Sequence, residues 1–87
     1  MGSIIRYNGI SIYYYPGDHN PPHLHIYAGD EEFTISIEER RIDGKALSTT
    51  ISTVNTILDL NMDAIMNEIA KGNRGERMTI IKNIKVK

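Results

Sequence analysis

Along this chain the apolar residues change their spacing twice, and each change marks a different kind of element. From Ile4 to Tyr15, β-branched and aromatic residues dominate, interrupted by Asn8-Gly9. That dipeptide is the strongest short signal for a two-residue type I′ hairpin turn, in which both residues take positive φ. The pattern predicts strands over Ile4 to Tyr7 and Ile10 to Tyr15, with Tyr7 opposite Ile10 and Ile5 opposite Ile12. Side chains alternate along a strand. Ile5, Tyr7, Ile10, Ile12 and Tyr14 then make a core face, leaving Ile4, Arg6, Ser11, Tyr13 and Tyr15 on the other. The tyrosine run reads as strand packing rather than a base-stacking platform, because strands favour aromatic residues in any case.

Pro16-Gly17-Asp18 ends this hairpin, and Pro21-Pro22 sets a stiff lead-in with no backbone donors, so the next strand starts at His23. Its alternation sends His23, His25 and Tyr27 one way and Leu24 and Ile26 the other. Gly29-Asp30 turns the chain back into Phe33 to Ile37. By parity Leu24 and Ile26 share a face with Phe33, Ile35 and Ile37, while the histidines share theirs with Thr34 and Ser36. Glu38 to Arg41 reads as a solvated strand extension, with Glu39 or Arg40 bordering the histidine face, and Ile42 to Lys45 reads as a turn.

The spacing then becomes helical. Leu47, Ile51, Val54, Ile57 and Leu58 recur on one face after Ser48, a candidate N-cap. Asn61 introduces a second helix with Met62, Ile65, Met66 and Ile69 on its apolar face and Lys71-Gly72 at its end. Residues 73–77 form a loop, and Met78 to Val86 alternates well enough to predict a final edge strand. The sum is a single α+β domain over residues 1–87: a small antiparallel sheet built from N-terminal hairpins, with two helices packed on one face.

Composition changes this picture in three ways. With 87 residues the core is thin, so burial by a small protein partner or in a homo-oligomer adds useful stability. The absence of cysteine excludes disulfides and thiolate-held metals, and no basic n-region precedes an apolar stretch, which predicts a cytoplasmic protein with no membrane segment. The net charge of −1 also hides an asymmetry. Lys71 to Lys87 carries six cations against Glu76, or +5, while Met1 to Ala70 carries ten acids against four cations, or −6. Arg74, Arg77, Lys82, Lys85 and Lys87 could therefore meet nucleic acid or an acidic partner, or the two parts could neutralise each other.

Candidate chemistry gathers in Asp18 to Ile26, which holds all three histidines: His19, His23 and His25. Neutral imidazoles at alternate strand positions, with a third from beyond a rigid bend, can converge on a tetrahedral zinc or another divalent metal. The same residues fit a second reading, as a shaped loop or partner contact. A third is a ribonuclease-like RNA-binding protein with His23 and His25 as acid and base and Arg40, Arg41, Arg74 or Arg77 on phosphate. Adjacent imidazoles face the same way, whereas acid and base in phosphodiester cleavage approach from opposite sides.

The run Tyr13-Tyr14-Tyr15, the segment Asp18-His19-Asn20-Pro21-Pro22-His23-Leu24-His25-Ile26, Gly29-Asp30 and two amphipathic helices resembles the bacterial domain-of-unknown-function family 4160. The resemblance spans most of the chain. It implies a small cytoplasmic protein, often encoded beside another short protein and on that basis a toxin–antitoxin component. The positions that carry it are His19, Pro21, Pro22, His23 and His25.

Overall fold

A computed structural model describes residues 2–17 and 21–86. Five antiparallel strands form one meander in sequence order: β1 (Ile5–Tyr7), β2 (Ile10–Tyr13), β3 (His23–Ala28), β4 (Glu31–Ser36) and β5 (Ile42–Lys45). Two helices follow, α1 (Ser48–Leu60) and α2 (Met62–Asn73). Neither is long and apolar enough to cross a membrane.

The predicted hairpin forms in the predicted register, Tyr7 with Ile10 and Ile5 with Ile12, around Asn8 at φ 46° and Gly9 at φ 79°. Ile12 pairs with Ile26, Ile26 with Phe33, and Leu24 with Ile35, so the core face is aliphatic and phenyl across these three strands. Val54, Ile57 and Leu58 of α1 and Ile65 and Ile69 of α2 complete one hydrophobic cluster with it. Fully burying side chains of this size stabilises by about 1.5–3 kcal/mol each. That packing holds α1, whose six serines and threonines give it modest helix propensity.

Several elements differ from the sequence reading. Ile42 to Lys45 is a strand rather than a turn, because the reversal occurs earlier: Arg40 takes φ 57°, its N–H donates to the Ser36 carbonyl, and the Ser36 N–H donates to the Arg41 carbonyl. Glu38 to Arg41 is therefore a turn, not a strand extension. Arg40 reaches away from the histidine face, donating to the Ile37 carbonyl at 3.0 Å, Asn55 at 2.9 Å and Asp59 at 2.8 Å. Gly44, read as a turn glycine, serves a close approach: at φ 123° a Cβ there would lie 2.5 Å from the Glu32 carbonyl oxygen. β2 stops at Tyr13, two residues early, as the chain leaves the ladder ahead of Pro16.

Ser48 is the first residue of α1 and caps nothing; Leu47 occupies the N-cap. The Glu31 carboxylate supplies the missing acceptor, taking the Leu47 N–H at 2.7 Å and the Thr50 hydroxyl at 2.8 Å. Asn61 holds the N-cap of α2 but makes no side-chain cap bond. Its amide instead donates to the Ile57 and Lys85 carbonyls and accepts the Lys85 N–H. The buried stripe of α2 is Ile65, Glu68, Ile69 and Gly72, which leaves Met66 exposed. Ile4, placed on the outer face by parity, is fully buried within the core cluster; it precedes β1, and its carbonyl accepts the Ile81 N–H of the C-terminal segment.

Met78 to Val86 is not a strand. Asn83, at φ 58°, breaks the extension, and one bond to Ile4 is the run's sole backbone link to the sheet region among the described residues. The segment is a strap whose Met78, Ile81, Ile84 and Val86 pack on the core. Its amides go to buried side chains, with Thr79 N–H on Glu68 at 2.8 Å and Lys85 on Asn61.

Gly9 and Gly44 both take positive φ, but only Gly44 is crowded. Gly9→Ala should cost about 1 kcal/mol and Gly44→Ala about 3 kcal/mol or more, because the second adds a steric clash to the backbone strain. Urea unfolding of the two variants checks this, and equal losses would refute the close approach at Gly44.

Candidate functional site

The outer face of the sheet carries the candidate site. β3 is set in place on one side by Tyr13 pairing with His25, and on the other by His25 with Thr34 and His23 with Ser36. At its start the Pro22 carbonyl accepts the Ile37 N–H at 3.0 Å, so the proline pair, without donors of its own, still joins the sheet as an acceptor. Both helices pack on the opposite face.

Five rings meet there in a continuous strip. Tyr27 stands edge-on to Tyr13 with centroids 5.4 Å apart, Tyr13 stacks on Tyr15 at 6.1 Å, and Tyr15 stands edge-on to His25 at 4.5 Å. His25 and His23 follow, 5.3 Å apart and tilted by 45°. Each such aromatic pair is worth about 0.5–1.5 kcal/mol beyond the area it buries. All five rings are half-buried, covering one another while keeping an open side. Around them the register places Ser11, Thr34, Ser36, Glu32, Asp43 and Lys45, a mixed polar border.

His23 Nδ1 lies 3.3 Å from the Pro21 carbonyl oxygen. A carbonyl only accepts, so in a hydrogen bond across this contact Nδ1 is the donor. His23 and His25 thus stand side by side, as predicted. His19, the third proposed metal ligand, lies outside the described residues, and among these no group of three His, Asp or Glu side chains could hold an ion.

The basic end is less open than the sequence suggests. Lys71 pairs with buried Glu68 at 3.0 Å, and Arg74 with Glu76 at 2.6 Å. The hydrogen bond from Arg74 holds the Glu76 carboxyl below its ordinary range, and the same bond raises Arg74. Lys82 and Lys85 line the same groove as Asp59 and Asp63, so the charge there is mixed. Arg77 is exposed, and Lys87 lies outside the described residues.

Sequence reasoning assigned the histidine and tyrosine faces separately and missed that they are one surface. The signal was present: Ile12 and Ile26 both belong to the core, so Tyr13 and His25, one residue on in β2 and one residue back in β3, must share the other face.

A five-stranded antiparallel meander, covered on one face by two helices and bearing a tyrosine–histidine strip on the other, defines a small α+β protein. The profile of the domain of unknown function DUF4160 matches residues 9–68, and the chain belongs to that family. The match takes in the ring strip and α1, while β1 and the C-terminal strap fall outside it. Comparison with curated proteins and with solved structures returns no match.

In its neutral form His23 should show the Nδ1–H tautomer in long-range nitrogen–proton NMR spectra. A proton found on Nε2 would remove the Pro21 contact as the force orienting the ring.

Proposed function

We propose that this chain is a small interaction protein, one component of a toxin–antitoxin-type pair, and that it meets its protein partner through the outer sheet face. The observation that carries the reading is the strip Tyr27, Tyr13, Tyr15, His25, His23, gathered on the side that neither helix covers. Tyrosine is enriched at the energetic centres of interfaces, because a rigid ring buries much area at little entropic cost and its hydroxyl keeps a polar handle. The polar border suits the rim that surrounds such a centre. The family resemblance supports a short protein encoded alongside as the partner.

Co-expression with that neighbouring protein tests the proposal. Tyr13→Ala with His25→Ala should weaken the complex about 30-fold or more in calorimetry. Arg77→Glu with Lys82→Glu should leave it within about threefold, since rim charges contribute little. The reverse ranking would move the interface to the basic end and sink the sheet-face reading.

One observation favours a second use of the same face. His23 Nδ1 lies against the Pro21 carbonyl, and a backbone carbonyl on one ring nitrogen is a contact that orients the imidazole in metal-ligating histidines. On this reading His23 and His25, with His19, bind zinc or another divalent ion. Zinc affinity should then rise with pH through the imidazole range as protons stop competing. His23→Ala should abolish stoichiometric heat that substitutions in α1 and α2 leave intact. Absence of that heat in the unaltered protein at pH 8 would end this second reading.

A further inference from the structure

On the helix side of the sheet, away from the ring strip, a cavity of about 600 Å³ opens between α1 and the end of the sheet. Its floor is one row across four strands: Tyr7 beside Ile10, Ile10 beside Ala28, and Ala28 beside Glu31. The hairpin turns at Asn8-Gly9 and Gly29 form the rim, and Val86 of the strap also borders it. Over this floor α1 presents Thr49, Ser52, Thr53 and Thr56. Those positions follow the i, i+3, i+4, i+7 spacing of a helix face. On the adjoining face of the same helix, Val54, Ile57 and Leu58 belong to the core, and Ile57 also borders the cavity. Along the first two turns and beyond, from Thr49 to Thr56, hydroxyls line an open space where aliphatic side chains would have closed the core.

The chemistry of the lining is one-sided. Glu31 is the one charged residue among those described around the cavity. Its carboxylate is fixed in place by the Leu47 N–H and the Thr50 hydroxyl, one on each oxygen, with lone pairs remaining. The partial positive charge at the start of α1 offsets about half of that negative charge, so a net negative site remains. Thr53 and Thr56 donate their hydroxyl protons to the Thr49 and Ser52 carbonyls, and so offer a ligand lone pairs. Tyr7 adds an aromatic ring. Lys85, next to Val86, borders the Asn61–Met62 groove instead and does not line this cavity.

We propose that this cavity binds a small organic cation, an amine or guanidinium on a short alkyl body. The cationic head would lie by Glu31 and the threonine oxygens, and the alkyl part against Tyr7, Ile10 and Ala28. A volume near 600 Å³ fits the range of small-molecule sites. Three strand spacings separate Tyr7 from Glu31, so the carboxylate and hydroxyl oxygens take the charged head while the tyrosine ring packs on the alkyl body.

Agmatine, which carries both a guanidinium and an amine, is the probe, with glutarate as an anion of similar size. Titration into the full chain, followed by amide NMR, should shift Tyr7 to Ile10, Gly29 and Thr49 to Thr56 with a saturable curve, while glutarate leaves them unmoved. Glu31→Gln should weaken agmatine about fivefold or more. Because Glu31 also braces the start of α1, Thr53→Val and Tyr7→Ala serve as independent variants, the first removing an acceptor for the head and the second the apolar wall for the alkyl body, each expected to weaken binding at least about twofold with the fold intact. The proposal fails if glutarate moves the same amides as strongly, if agmatine shifts map elsewhere, or if all three variants bind agmatine as the unaltered chain does.

Discussion

Strand alternation in one shared register is the constraint on which the rest of the structure depends. Because Ile12 lies beside Ile26, and Ile26 beside Phe33, aliphatic side chains from the central strands all fall on one face. The helices can then cover that face with a few residues each, and a chain of 87 residues closes a core around it. The same register leaves Tyr13, Tyr27, His23 and His25 no choice of side. A slip of one residue would turn the rings inward and the aliphatic residues out.

Where the chain leaves the ladders, side chains take over the bonding that strands and helices otherwise provide. Arg40 ties the β4–β5 turn to α1, Glu31 braces the start of that helix, and Asn61 and Glu68 receive the strap. Among the described residues no buried side-chain nitrogen or oxygen lacks a partner. Buried polar groups left unpaired cost about 1–3 kcal/mol each, so these satisfied residues define where loops and tail dock.

The parts of this arrangement that rest on local rules were legible in the sequence. Asn8-Gly9 gave a turn and a register, alternation gave both sheet faces, and helical spacing gave α1 and α2. The profile match over residues 9–68 bears out the family resemblance. Features that depend on distant partners were not legible. Gly44 looks like any turn glycine until Glu32 is placed opposite it, and Asn61 looks like a cap until Lys85 arrives from 24 positions away. The strap alternates like a strand, but apart from the Ile81 N–H on the Ile4 carbonyl its long-range backbone bonds among the described residues go to side chains that no periodicity reveals. In the candidate site, the shared outer side of His23, His25 and Tyr13 was legible from the core pattern, and the ring contacts between the tyrosines and His25 required the β2–β3 pairing.

The way the strap is fastened has a consequence for how this chain can change over time. At Thr79 and Lys85 the protein grips backbone amides and a carbonyl, while the side chains at both positions face solvent. Substitutions there other than proline keep the N–H groups that the fastening uses, so the identity of those two residues can drift. Asn61 and Glu68 cannot drift in the same way, since each supplies the polar atoms that the backbone needs. A tail of loosely specified sequence is thus anchored by two tightly specified residues of the helical layer.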